Sequence, residues 1–409
     1  MKVIRLVLLA GGTLALAYLS FGAAVATITA PTSPAIAQKF DSNNPTALLV
    51  TADALTATAP SRAVLSQIGS SAKAALRGHA LSPRAIRLLA VANASDANVP
   101  AQLALLDLSQ KMSRRDFGTQ ILLIEAGSQS DDIVKTLRHY DIALTTEAKV
   151  KETLFPILST AIEDPAIRRA FALYLLTDRG WVPEFVNYKY DVSPKSTALV
   201  EAALLTRGEP VFAEFDNYKQ LLFDRAVKAG QTDVARRFYA RFKISDPANL
   251  TSVAFVPVTA AKADALIRWQ LFELPYIVPQ FVRASPDSGY QLSVTASSGA
   301  RGVVASKLLM LPPGRYKLTV RYGEVALVSG TSAVWSMRCA TNDDQPVFWQ
   351  SDGRLSGDAQ QIDVPARCGA QVVDLSVSAA GEQSDSNFTV ASLQLAPASA
   401  QSLTIRNKE

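Results

Sequence analysis

The sequence predicts an α-then-β chain of several domains: an α-α superhelix followed by an antiparallel β-sandwich or jelly roll, both behind an apolar N-terminal segment. Three observations predict it. Residues 6–30 hold no charged side chain. From Asn43 to about Ile244, Ala and Leu recur at three-to-four spacing, the period of a helix. Beyond Asp246-Pro247 apolar residues alternate with period two, the signature of half-buried strands. At 409 residues and 48% apolar, the chain has the length for two or three domains and the material for sizeable cores.

The N-terminal segment begins with Lys2 and Arg5, ahead of its apolar run. A run of about 20 apolar residues is long enough to cross a bilayer core, and leading basic residues direct the bulk of a chain away from the cytoplasm. Two readings stand: an anchor through residues 6–30, or a signal peptide cut after the Ala35-Ile36-Ala37 triplet. Both place the remainder outside the cytoplasm, on the periplasmic side of an inner membrane. Residues 1–37 form this first part, with a helical domain over 42–245, a sandwich over 250–397 and a disordered tail over 398–409.

Helices are expected over 45–57, 61–77, 83–94, 98–112, 114–127, 130–143, 147–162, 165–177, 195–206, 209–229 and 231–242. Four starts carry a capping residue followed by proline: Asn44-Pro45, Ser82-Pro83, Asp164-Pro165 and Ser193-Pro194. Ala85–Leu89 and Gly118–Leu122 open helix pairs 33 residues apart, with Leu105, Leu108, Leu137 and Tyr140 as candidate core positions. A two-helix period near 34 is that of a tetratricopeptide-like solenoid, with an irregular helical bundle as the alternative. Gly180–Asp191, GWVPEFVNYKYD, reads as an interruption of the array. Its Trp181, Phe185, Tyr188 and Tyr190 are candidates for a groove, or for core packing between helix pairs.

In the β part, alternation runs through Ile267, Trp269 and Leu271; Tyr290, Leu292 and Val294; Tyr316, Leu318, Val320 and Tyr322; and Val373, Leu375 and Val377. Seven to nine strands are expected. The only two cysteines, Cys339 and Cys368, form an isolated pair behind an export-type segment, which predicts one disulfide. Trp335, Met337 and Cys339 share a strand face, so Trp335 is expected to pack beside that disulfide.

Chemistry-bearing motifs are sparse. His79 and His139 have no partner at metal-ligand spacing and are expected at surface or helix-end positions, and no metal or cofactor site is predicted. Net charge is +5, but basic residues are scattered, the longest runs being pairs such as Arg114-Arg115 and Arg236-Arg237. No nucleic-acid face is expected. Asp343, Asp344, Asp352 and Asp358 crowd the loop between the cysteines, where paired acids serve glycoside hydrolysis, calcium or simple solvation. Phe348 and Trp349 lie in the same loop. An aromatic flanked by Asp and Gln is a candidate glycan platform, with a ring tucked over the sandwich edge as the alternative.

Several motifs together carry a resemblance. These are the Arg114-Arg115-Asp116 turn, the G-W-x-P-x-F break at Gly180–Phe185, and L-P-P-G-R-Y (311–316), W-x-x-x-C (335–339) and V-P-x-x-C-x-A-Q (364–371) in the β part. The chain resembles uncharacterised alphaproteobacterial envelope proteins with a membrane helix, a helical array and a terminal sandwich, often encoded beside exopolysaccharide genes. It departs from their pattern at Val182, where the group has arginine after the tryptophan. The resemblance implies a non-enzymatic envelope protein that supports exopolysaccharide assembly or export. A partner protein would dock on the helices and polysaccharide on the sandwich. The alternatives are a scaffold with no sugar contact and a glycan-processing enzyme using the Asp343–Asp358 loop.

Overall fold

The computed structural model describes residues 2–57, 61–94, 99–211, 215–242, 246–255, 267–283, 289–341, 346–353, 357–380 and 385–398. It is helical first and β second, and it divides into two compact units, 1–158 and 159–409. The division falls inside the helical stretch, so the last helices belong to the same compact unit as the sandwich. The expected tail over 398–409 lies, beyond Ala398, outside the described residues.

The first unit contains α1 (Lys2–Thr29), α2 (Pro34–Phe40), α3 (Pro45–Ala54), α4 (Arg62–Gly78), α5 (Pro83–Ala92), α6 (Val99–Met112), α7 (Phe117–Gln129), α8 (Ile133–Thr146) and most of α9 (Lys151–Ala161). Within α1, Gly11–Thr29 is long and apolar enough to cross a membrane, and Leu14, Leu16, Tyr18, Leu19, Phe21 and Ile28 are exposed along it. At its far end Ala30 packs with Ala37 of α2 and Ala47 of α3, all fully buried.

Helices α3 to α8 each pack on their sequence neighbours, with α3–α5 and α5–α7 also in contact. Stacked helical hairpins give this pattern. The polar residues at the helix starts explain the boundaries. Asn44 and Ser82 accept from the amides of Ala47 and Ala85 at 3.1 and 3.3 Å, each ahead of a proline that has no N–H to leave unsatisfied. Asp116 and Asp132 cap α7 and α8 in the same way, so both helices start three residues later than the periodicity alone predicts. Among the predicted core positions, Leu137 and Tyr140 are buried and Leu105 is partly buried. Leu108 is exposed, and Leu106 takes its place with Ala90 and Leu123.

The second unit holds the end of α9, then α10 (Pro165–Phe171), α11 (Trp181–Val192), α12 (Ala198–Leu205), α13 (Phe215–Lys228) and α14 (Thr232–Arg241). The GWVPEFVNYKYD stretch is therefore a helix, α11, and not a break. Pro183 sits in its first turn, where the missing N–H costs nothing. Trp181, Val182, Phe185, Val186 and Lys189 recur at helical spacing and are all buried. Asp164-Pro165 caps α10 as predicted, whereas Ser193 of the Ser193-Pro194 pair closes α11 instead of opening the next helix.

Among the described residues ten strands follow: β1 (Gln270–Leu271), β2 (Ile277–Arg283), β3 (Tyr290–Ala296), β4 (Arg301–Leu309), β5 (Gly314–Ala326), β6 (Ser332–Cys339), β7 (Val347–Gln350), β8 (Gln360–Val364), β9 (Gln371–Ser378) and β10 (Ser386–Pro397). They form two antiparallel five-stranded sheets, in the orders β1-β4-β9-β6-β7 and β2-β3-β10-β5-β8. One continuous core lies between them, with Leu292, Val294, Leu318, Trp335, Met337, Leu375 and Phe388 at its centre.

Cys339 and Cys368 are joined by a disulfide, their Cα atoms 5.4 Å apart across 29 residues of sequence. Trp335 lies four residues, about 13 Å of extended strand, from Cys339. Its aromatic partner is Trp269, edge-on at 5.8 Å between centroids, and its indole N–H donates to the Tyr322 hydroxyl at 3.2 Å. Trp335 is thus a core residue held by Trp269 and Tyr322. The buried Gln371 side chain ties the cysteine loop down: it accepts from Leu311 N at 2.8 Å and donates to the carbonyls of Leu311 and Cys368. Opening a loop of about 30 residues is expected to lower stability by about 3–4 kcal/mol in the chain-entropy picture. Adding dithiothreitol should therefore lower the sandwich's denaturation midpoint; an unchanged midpoint would show that Gln371 and the sheet hold the loop unaided.

Candidate functional site

The sequence-predicted platform falls on β7, the last strand of its sheet. Trp349 pairs with Met337 of β6 and shares its core-facing side; a bulge beside this pair brings Phe348 against the core as well. Both rings are half-buried, while Val347, Gln350 and Asp352 are exposed around them. The Trp335 amide donates to Ser351 Oγ at 3.0 Å, and Ser351 N donates back to the Trp335 carbonyl at 2.8 Å, which fixes the chain just after Trp349. The edge is a rim with two partly open rings. Asp343 and Asp344 lie outside the described residues, and Asp358 is exposed.

Two of the four aromatic groove candidates, Trp181 and Phe185, are buried core residues. Trp181 and Phe185 form one cluster with Phe171 and Tyr174, at 5.5–6.5 Å between centroids. The Tyr190 ring is covered by the Arg225 guanidinium at 3.8 Å, and Tyr188 is half-buried on the same helix. Arg225 also donates to the Tyr190 carbonyl. On the face next to them, Lys189 is buried and donates to Ser159 O at 2.7 Å and Glu163 Oε1 at 2.5 Å, which anchors α11 on α9.

One site was not singled out from the sequence. Asp107, Gln110 and Lys111 of α6, Arg114 in the turn after it, and Lys135, Arg138 and His139 of α8 line a hollow of about 490 Å³ in the first unit. Positions 107, 110 and 111 share a face of α6, as 135, 138 and 139 share one of α8, and Arg114 follows in the turn after α6. Among the described residues, none of Lys111, Arg114, Lys135 and Arg138 has an ion-pair partner. His139, expected near a surface or helix end, is instead buried in α8, while His79 is exposed at the end of α4. The Gln120 amide donates to Arg114 O at 3.4 Å, so its oxygen faces His139 Nδ1 at 2.9 Å. That acceptor assigns the proton to Nδ1 in the neutral ring. Burial first, then the Lys135 and Arg138 charges, push the imidazole down to about 4, with Asp107 opposing. Among the described residues no cluster of three or more metal-ligating side chains forms.

No family model matches the sequence, and none of the curated proteins matches it. Among solved structures, the chain is similar to the enzymatically active domain of bacteriophage CBA120 tailspike protein 4. The identity there is 10% over 36% of this chain and 21% of that one, with a TM-score of 0.26. It is also similar to accessory secretory protein 1, 2 and 3 of Streptococcus pneumoniae (15%, covering 31% and 94%, TM-score 0.23) and to TmCBM61 in complex with β-1,4-galactotriose (15%, covering 36% and 99%, TM-score 0.22). The chain spans about a fifth of the tailspike's length. Likenesses this slight assign the chain neither a fold relative nor a ligand.

Proposed function

We propose that this is a non-enzymatic protein held at the periplasmic face of an inner membrane by α1, where it supports exopolysaccharide assembly or export. The stacked helices offer a surface for an envelope protein partner, and the sandwich contacts the polymer at the rim formed by β7. The observation that carries the reading is that rim: two half-open aromatic rings beside exposed Gln350 and Asp352 at the end of a sheet. Rings of this kind stack on the apolar face of a pyranose while amide and carboxylate groups take its hydroxyls. Retention of α1 is supported by Ala37. The residue before the alternative cleavage point is fully buried inside α2, against Ala30.

The test is binding of the full-length protein, in detergent micelles, to the host's extracellular polysaccharide. Trp349→Ala and the milder Gln350→Ala/Asp352→Ala are expected to weaken binding about tenfold or more, the double variant with an unchanged melting temperature. The membrane fraction should hold a species of the full 43.8 kDa. Absence of saturable binding by the wild type would favour the second reading, a scaffold with no sugar contact. That reading has its own support in the core-facing position of Trp349 opposite Met337.

A further inference from the structure

We propose that the hollow between α6 and α8 is a binding site for an anionic saccharide, one carrying carboxylate or phosphate groups, held by Lys111, Arg114, Lys135 and Arg138. The site is on the first unit and is independent of the β7 rim. Three features argue for it together.

The first is charge in a concavity. Four cations face one hollow with a single carboxylate, Asp107, among its lining residues. Isolated surface cations are ordinary, but like charges converging on a hollow repel one another until an anion enters, and a cleft of one sign focuses the field that attracts it. The second is the kind of donor. Arg114 and Arg138 present planar forks that match carboxylate or phosphate oxygens two at a time, while Lys111 and Lys135 act as movable point charges. Gln110 and Asp107 supply the neutral donor and the acceptors that sugar hydroxyls require. The third is size. A volume of about 490 Å³ is in the range of small-molecule sites and accommodates two or three sugar rings of an open-ended chain.

His139 makes the site observable. It is held by Gln120 from α7, and the charged groups around it are Asp107 and Lys111 on α6, Arg114 after it, and Lys135 and Arg138 on its own helix. An anion among these cations favours the imidazolium, so binding is expected to raise the titration midpoint of His139 from its low resting position, by about one unit. Only two histidines are present, and the exposed His79 at the end of α4 serves as the internal control.

The experiment uses the full chain in micelles, titrated with trigalacturonate, with glucose 6-phosphate and with neutral maltotriose, and followed by calorimetry and by histidine proton resonances against pH. Saturable binding of either anion but not of maltotriose, with a shift confined to His139, is the expected result; which anion binds tells carboxylate from phosphate. Arg114→Gln and Arg138→Gln, both exposed positions that leave the helices intact, should each weaken binding about tenfold or more. The proposal is overturned if neither anion binds, if maltotriose binds equally, or if both variants bind like wild type. None of these outcomes bears on the β7 rim, whose variants Gln350→Ala/Asp352→Ala should leave anion binding untouched.

Discussion

Arg87→Ala is expected to destabilise the first unit by about 3–5 kcal/mol, the cost of removing one partner from a buried ion-pair network. Arg87 projects from α5 and is buried. Its guanidinium meets Asp53 of α3 at 2.8 Å and Asp116, the cap of α7, also at 2.8 Å. Arg84 pairs with Asp53 alongside it. Asp116 in turn accepts from Thr119 N at 3.1 Å and from the Thr119 hydroxyl at 2.5 Å, and that hydroxyl meets Ser109 Oγ of α6 at 2.8 Å. One side chain therefore links three helices, and its loss leaves Asp116 without its cation and Asp53 with Arg84 alone, while loosening a helix cap. Gly118 belongs to the same arrangement: a Cβ there would stand 2.6 Å from the guanidinium. Helical circular dichroism against urea is the measurement. A loss below about 1 kcal/mol would mean that the network behaves as an exposed one.

Trp335→Ala should cost the sandwich about 3–5 kcal/mol, as large-to-small changes in closed cores do. The ring is 1% exposed, it meets Trp269 edge-on, and its N–H is satisfied by Tyr322. Trp335→Phe keeps most of the volume and loses the hydrogen bond to Tyr322 and part of the ring contact, so about 1–2 kcal/mol is expected. Urea midpoints of the β transition test both. Near-equal losses for Ala and Phe would shift the weight of the site from packing to the Tyr322 bond.

Much of this architecture could be read from residue spacing, and the exceptions have physical reasons. Helices and strands followed their periods because one face of each is buried, and burial leaves its mark on every third or fourth, or every second, residue. GWVPEFVNYKYD was misread because proline and four aromatics outweighed an intact helical stripe at 181, 182, 185, 186 and 189. Pro183 falls in the first turn, the one place where the stripe tolerates it. The rim at β7 was legible as a motif but not as a geometry. Whether Trp349 faces solvent is set by its pairing with Met337 across a bulge, which no local pattern encodes. The hollow was the least legible. Its two stripes, 107-110-111 and 135-138-139, each look like an ordinary solvated helix face. Only the packing of α7 beside them, through Gln120, brings them to one concavity.

The joint between the last helices and the sandwich has a consequence for how such a chain is inherited. Arg236 of α14 donates to Met310 O at 2.8 Å, Met310 N donates to Leu250 O at 2.7 Å, and Gly369, next to Cys368, leaves no room for a Cβ against Thr232. A sandwich sewn to its helices at Met310 and at Gly369, just past its disulfide, is not a cassette to be shuffled between proteins. Recombination that separated the two would leave a raw face on each, so helices and sandwich are expected to travel, vary and be lost together.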